Sequence, residues 1–335
     1  MKYKIAFDFN GNDLGTLECL YASIQFLKEN PDYLIYAVGN EEEIIAGLNQ
    51  IKDNEVKKRL LIVNNLAVPS DKKNVRKSLH EKTSMSDCFD LLTNKEVDAV
   101  LSAGDSGILL SMATLKAKRL DNVARPAFMP IVPTINQSKF FLLDAGANLE
   151  TKAEYLQDWA IIANAFAKVL LKIDNPRVAL INIGTEDYKG TQVIQEAQAL
   201  LKENQNINYV GFQEPRDLLA GSCDVALIDG YGGNLMLKST EGAIKNFAKL
   251  LKRNLLASFI TKIGALLSKK AFKTTAEVLD YRSVGAAWVI GVNALVAKAH
   301  GASDRKAFYN ALKQIKLALE NDILNKIKNE LGIDV

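Results

Sequence analysis

The feature that most limits this chain is a repeated pairing. A short run of β-branched and apolar residues ends in a cluster of small and polar ones, and a longer segment with helical spacing follows. Runs this short and this apolar read as strands buried on both faces, and their alternation with helices predicts βα units around a mainly parallel sheet. The expected strands cover 3–9, 33–38, 59–63, 97–102, 127–132, 140–144, 177–183, 207–212 and 224–229. The expected helices cover 14–29, 40–50, 84–94, 106–119, 152–172, 189–204 and 234–267. A last long helix runs from a cap at Ser303 or Asp304 to near Leu331, and 287–300 reads as two strands joined by a turn. No linker rich in Pro, Gly or Ser and no repeat of fixed period interrupts the pattern. The expectation is therefore a Rossmann-like α/β unit over 1–335 built on one continuous sheet, with Asp174-Asn175-Pro176 as the best seam between two lobes.

Composition narrows the class further. The chain has 335 residues, 48% hydrophobic and 24% charged, enough to bury a large core and far from a disordered or disulfide-dense composition. Cys19, Cys88 and Cys223 are widely spaced and form no CxxC, and only two histidines accompany them, so neither a disulfide framework nor a metal site is expected. A reducing cytoplasm fits. Tyr3 already begins a strand, with no charged start, apolar core and cleavage site of a secretory signal before it. No apolar stretch approaches the ~18 residues of a membrane span, which leaves only peripheral membrane contact.

The net charge of +3 conceals an asymmetry. Residues 238–273 hold nine Lys or Arg against Glu241 alone, so this segment carries +8 and the rest of the chain −5. From Phe247 onward apolar residues recur at spacings of three and four, with Lys249, Lys252, Arg253, Lys262, Lys269 and Lys270 between them. That is a basic amphipathic helix, expected to break near Gly264 into a hairpin. Periodicity alone favours a core or dimer helix with a solvated basic face; an anionic membrane surface and an acidic protein partner are the other readings. Nucleic acid is not, because no aromatic residues interleave with the lysines in a recognised binding motif.

Ligands of open α/β sheets bind at the carboxyl ends of strands, and six such ends here carry similar residues. They are Asp8-Phe9-Asn10-Gly11-Asn12-Asp13, Ser102-Ala103-Gly104-Asp105-Ser106-Gly107, Asp144-Ala145-Gly146-Ala147-Asn148, Asn182 to Gly190, Asp229-Gly230-Tyr231-Gly232-Gly233-Asn234 and Ala299-His300-Gly301-Ala302-Ser303. Any one of them alone is ordinary turn and capping chemistry. Several on one sheet edge leave backbone N–H groups free to cradle an anion. The Ser102–Gly107 loop, directly before a helix, is the best phosphate candidate. It lacks the Gly-Lys-Ser/Thr ending of a Walker A loop, and no G-x-G-x-x-G follows a strand. Lys189 and Lys238 can supply positive charge, though each alone reads as a solvated helix lysine. His300, in a glycine-bordered turn, is an acid/base or substrate-contact candidate, whereas His80 reads as a surface residue. With no G-x-S-x-G elbow and no activated cysteine, the site offers positioning and electrostatics, which suit an anionic nucleophile such as phosphate.

Taken in order, the six motifs resemble those of the phosphate acyltransferase (PlsX) family. The resemblance spans the chain to about residue 320, and six ordered motifs are far more specific than any one of them. It implies a fold like that of isocitrate and isopropylmalate dehydrogenases, a homodimer without cofactor, and transfer of an acyl chain from acyl carrier protein to inorganic phosphate. The acyl phosphate would pass to a membrane glycerol-3-phosphate acyltransferase for phospholipid synthesis at the inner face of the cell membrane. On this reading Gly11, Ser102, Gly104, Ser106, Gly107 and Gly184 hold phosphate, and Lys189 and Lys238 offset its charge. Asn148, Asn234 and His300 are oxyanion donors, and Asp8, Asp144 and Asp229 are further polar contacts. The chain departs from the family pattern at Asn12, Asp105 and Ser106, and a carboxylate at 105 repels phosphate unless it faces a lysine. The rival readings are a phosphotransacetylase-like enzyme for another thioester, a decarboxylating dehydrogenase and a non-catalytic membrane-surface scaffold. A dehydrogenase would need metal-binding aspartates and an arginine cluster that the sequence does not assemble.

Overall fold

A computed structural model describes residues 1–71, 73–278, 280 and 283–334. The first part of the chain forms β1 (Tyr3–Asp8), α1 (Thr16–Glu29), β2 (Tyr33–Gly39), α2 (Glu41–Leu48), α3 (Asn54–Lys57) and β3 (Leu60–Asn64). It continues through α4 (Val75–Ser78), α5 (Ser84–Thr93), β4 (Ala99–Ser102), α6 (Ser106–Met112) and β5 (Ala127–Met129). Next come β6 (Ile131–Pro133), β7 (Lys139–Leu143), α7 (Ala153–Phe166), β8 (Arg177–Ile181), α8 (Gln192–Glu203), β9 (Asn208–Gln213) and β10 (Val225–Leu227). The remainder is α9 (Gly230–Leu255), α10 (Phe259–Leu267), α11 (Lys269–Val278), β11 (Ala287–Ile290), β12 (Leu295–Lys298), α12 (Arg305–Glu320) and α13 (Ile323–Glu330).

The strands form two sheets where one continuous sheet was expected. Seven strands pair in the order β3-β2-β1-β4-β12-β11-β5 and five in the order β6-β7-β10-β8-β9. Both are mainly parallel, with antiparallel pairing confined to β12-β11-β5 in the first and β6-β7 in the second. The division is made at Pro130. The apolar run over 127–132 reads as one strand, but proline has no N–H to continue a ladder, so β5 stays with β11 and β6 turns to pair with β7. Asp174–Pro176 lies between α7 and β8 and joins elements on the same side of that division.

One apolar core nevertheless spans both sheets. Phe141 of β7, Phe166 at the end of α7 and Trp288 of β11 are each almost fully buried. Phe166 stands between the other two, with ring centroids 6.2 Å from Phe141 and 5.0 Å from Trp288. Burial of a side chain of this size contributes roughly 1.5–3 kcal/mol, so this aromatic line fastens one sheet to the other. Local signals set the helix starts. Asn40, Thr83, Asp105, Thr191, Asp229 and Asp304 each accept a backbone N–H from the first turn of the helix that follows. Of the two expected caps for the last helix, Asp304 is the one used. That helix is two helices, broken where Asp322 adopts a left-handed conformation with φ 50°.

The basic segment also departs from expectation. The single helix expected over 234–267 with a break at Gly264 is instead α9, which starts earlier at Gly230, and α10, with an interruption at 256–258; α11 follows after Ser268. Ser258 and Thr261 form a capping box that starts α10, and Gly264 lies inside that helix. A reciprocal cap satisfies orphan donors at the new start, whereas one glycine inside a helix costs only about 1 kcal/mol, so the cap decides where the chain turns.

Candidate active site

The six polar turns fall into two triplets, each on three neighbouring parallel strands. The turns after β1, β4 and β12 sit side by side in the first sheet, and those after β7, β10 and β8 in the second. In the first triplet Asp8, Ser102 and Lys298 share one register row across the three strands. The Asp8 carboxylate is buried and accepts the Ser84 hydroxyl at 2.7 Å and the Ser102 hydroxyl at 2.7 Å, and Gly104 N–H donates to the Ser102 oxygen at 3.0 Å. Burial pushes the Asp8 carboxyl above the ordinary carboxylate range, and the two hydroxyls, the Asn10 N–H and the charge of Lys298 oppose that. Gly11 lies against Gly104 so closely that a β-carbon on it would stand 2.3 Å from the Gly104 nitrogen. The third turn joins where Asp13 N–H donates to the Gly301 carbonyl at 2.8 Å.

Ser102 and Gly104 are thus committed to supporting the turn and do not face outward as ligand groups. The exposed members of the loop are Ser106 and Gly107, the first turn of α6, where backbone N–H groups have no partner in the helical ladder. Asp105 caps α6 by accepting Ile108 N–H at 3.1 Å, and its charge acts on Lys298. His300 is exposed, and its Nδ1 accepts Ala302 N–H at 3.1 Å. The proton of the neutral ring therefore sits on Nε2, which makes it a donor.

In the second triplet Asp144 plays the part that Asp8 plays in the first. It is buried and accepts N–H groups of Phe128 (3.0 Å), Gly146 (3.1 Å), Ala147 (3.0 Å) and Asn148 (2.7 Å), together with the Asn148 amide. Burial raises its pKa and these donors pull it back. The Asn148 amide also donates to the Pro126 carbonyl at 2.8 Å, so this expected oxyanion donor is occupied in holding the turn. Asp229 caps α9 through Gly232 N–H at 2.8 Å. Gly233 is required there, because a β-carbon on it would lie 2.0 Å from the Asp144 carbonyl oxygen. Asn234 follows, only partly buried, with its side chain beside Gly146. Lys238 is exposed one turn further along α9. In the turn after β8, Lys189 pairs with Glu186 at 2.8 Å beside Gly184, and both remain substantially exposed. The two triplets are tied together: Phe128 of the first sheet donates to Asp144, and Ala145 and Ala147 pack against the apolar cluster containing Met85, Ile108 and Leu109.

The sequence reading missed Lys298 and Ser84 as members of this network. A lysine closing the four-residue strand Leu295–Lys298 is a signal for the first, since a cation directly after a buried run has to find partners. Nothing local marks Ser84, which reaches Asp8 only because α5 packs on β1. The cysteines offer no nucleophile: all three are buried, which drives Cys19 and Cys88 well above the usual thiol range and pushes Cys223 up to about 12. Among the described residues no group of three His, Cys, Asp or Glu side chains is placed to hold a metal ion.

Residues 3–326 match the family model described as "Fatty acid synthesis protein". The chain is 56% identical over 330 residues to a phosphate acyltransferase of Mycoplasmopsis agalactiae, with 98% of each chain covered. It is 48% identical to one of Mycoplasma mobile, over 98% of this chain and 99% of the relative. Among solved structures, a phosphotransacetylase from Streptococcus pyogenes superposes with a TM-score of 0.61 at 16% identity, covering 94% of each chain. The EutD phosphotransacetylase from Staphylococcus aureus superposes with 0.59 at 16% identity, covering 95% of this chain and 94% of its own.

Proposed function

Because the chain belongs to the phosphate acyltransferase family, we propose that it forms acyl phosphate from an acyl-[acyl carrier protein] thioester and inorganic phosphate, for phospholipid synthesis. The observation that carries this reading is the division of labour within the six turns. Buried Asp8 and Asp144 consume the groups that shape the turns, and Ser106, Gly107, Lys189, Asn234 and His300 in or just after the turns, with Lys238 further along α9, stay at least partly exposed.

Phosphate is already a nucleophilic anion at neutral pH, so the site has to align it about 3–3.5 Å from the thioester carbonyl carbon and stabilise the charge that develops on the carbonyl oxygen. The N–H groups of Ser106 and Gly107 hold the phosphate beside Gly11, with Lys189 and Lys238 offsetting its charge. A phosphate oxygen bonds to the carbonyl carbon and the C–S bond breaks. The electron pair leaves on sulfur, which takes a proton as the thiol of the carrier. The His300 Nε2–H and the Asn234 amide donate to the oxyanion.

The test is to incubate the protein with phosphate and either acyl carrier protein thioester or acyl-CoA, and to trap acyl phosphate with hydroxylamine. Hydroxamate from the carrier thioester supports the proposal. Product from acyl-CoA alone moves the reading to a phosphotransacetylase-like enzyme, and none from either donor removes it.

The basic segment adds a location. No helix among the described residues is long and apolar enough to cross a membrane. Phe259, Ile260, Leu266 and Leu267 of α10 are 70–82% exposed beside Lys262, Lys269 and Lys270. Exposed apolar residues interleaved with cations favour an anionic lipid surface over an acidic protein alone. We therefore place the enzyme peripherally on the inner face of the membrane, as a homodimer that hands acyl phosphate to a membrane acyltransferase.

A further inference from the structure

We propose that Lys298 is a positioning residue for phosphate, the partly buried cation that lets turns carrying three carboxylates receive a dianion. The inference rests on the reading of inorganic phosphate as the acyl acceptor. Lys298 ends β12 in the register row that holds Ser102 and Asp8, so its side chain starts level with the floor of the first triplet. Its ammonium donates to the carbonyls of Ala103 and Ala299 and so pins the Ser102–Gly107 turn to the His300 turn. The charged groups that act on it come from each neighbouring element: Asp8 from β1, Asp13 from the turn after β1, and Asp105 at the cap of α6.

The electrostatics leave Lys298 a distinct task. Asp8, Asp13 and Asp105 bring three potential negative charges to the place where the exposed N–H groups of α6 would meet a phosphate. Without a counter-charge they would repel it, and in a partly dehydrated site such repulsion is far stronger than in water. Lys189, which the proposed site draws from the other triplet, shares its charge with Glu186 at 2.8 Å, whereas the charges of all three of these carboxylates act on Lys298. The surroundings also make its charge adjustable. Burial lowers its pKa from the ordinary lysine value to about 8, against the opposing pull of Asp105, Asp8 and Asp13. Below that pH the lysine is an ammonium and offsets one of the three carboxylate charges. As pH rises through it the ammonium is lost, and the turns become one charge more negative while phosphate remains a dianion.

The experiment measures inorganic phosphate binding by calorimetry between pH 7.5 and 9.5, and KM and kcat for each substrate, in wild type, Lys298→Arg and Lys298→Gln. Wild type should lose phosphate affinity as pH rises across the range. Lys298→Arg, which keeps its charge, should bind with little pH dependence. Lys298→Gln should weaken phosphate binding, and raise the phosphate KM, by about tenfold or more, with the thioester KM nearly unchanged. The proposal is overturned if the glutamine variant, folded by circular dichroism, binds phosphate like wild type. Equal losses in the arginine and glutamine variants overturn it as well, because the role is then one of shape. If the glutamine variant does not fold, the pH dependence of wild type against Lys298→Arg decides: equal slopes sink the proposal. Phosphate binding that behaves as described, with no hydroxamate from any donor, leaves this proposal standing and removes the acyl-transfer reading. Hydroxamate formed with a pH-independent phosphate affinity does the reverse.

Discussion

At the residue scale, the site separates side chains that shape turns from side chains left for chemistry, and the two kinds predict different phenotypes. Ser102→Ala removes one hydroxyl from a buried carboxylate, so it should cost about 1.5–3 kcal/mol of stability, read as a lower midpoint in urea unfolding. His300→Ala and Lys189→Ala remove exposed groups, so each should lower hydroxylamine-trapped acyl phosphate at least about tenfold while the unfolding midpoint holds. Wild-type turnover in either purified variant would take that residue out of the mechanism. Gly11→Ala sits between the two, since its β-carbon would stand 2.3 Å from a backbone nitrogen that cannot yield without moving the turn. It should abolish turnover and lower the unfolding midpoint together. The candidate residues were legible in the sequence as a class, but their division was not. Ser102 and Ser106 belong to one loop and are chemically alike. Only the position of Asp8 on the next strand consumes the first and leaves the second exposed.

At the scale of elements, a cap is a contact between a side chain and a backbone N–H two or three residues away, which made the helix starts at Ser84 and Ser106 legible, although α9 starts at Gly230, four residues before the expected 234. Asp229→Ala should therefore cost about 0.5–2 kcal/mol through the lost cap of α9. It should also slow turnover, because α9 carries Asn234 and Lys238 from its first turns; an unchanged rate with the expected loss of stability would separate the cap from the site. Element ends decided by packing were less legible. The run over 127–132 is apolar from end to end in its pattern, and which sheet each half joins depends on its partner. For the first half that partner is β11, near the far end of the chain, and for the second it is β7, the next strand along. The basic segment misled for a related reason: amphipathic spacing continues across 256–258 and Ser268, so periodicity alone reads one helix where the capping box at Ser258 starts another.

At the scale of the whole molecule, a line of aromatic rings holds the two sheets together and a separate basic arm projects from them. Phe166→Ala opens a cavity between Phe141 and Trp288 and should cost about 3–5 kcal/mol, measured by urea unfolding; a loss well below that would mean the sheets are fastened elsewhere. The arm has no buried residue in α10 or α11. Flotation with anionic vesicles at physiological salt should carry the protein upward, and replacing Lys249, Lys252, Arg253 and Lys262 by Glu should leave it at the bottom. No flotation of wild type, with carrier-protein binding intact, would assign the arm to the acyl donor.

Strand and helix periodicity and turn chemistry act over a few residues, so the α/β class, the alternation of the main strands and helices and the six polar turns were legible in the sequence, whereas the short α3 and α4 and the breaks at Pro130, 256–258 and Asp322 were not. Its charge asymmetry likewise marked residues 238–273 as a segment apart, since the clustering of lysines along a chain does not depend on how the chain folds. Only the tertiary structure decided that the strands form two sheets, that the turns fall into two triplets, and that Lys298 ties the Ser102–Gly107 turn to the His300 turn. Those turns are brought together by strand pairing across nearly the whole chain, and neither hydrogen-bond register nor desolvation exists until the distant strands have met.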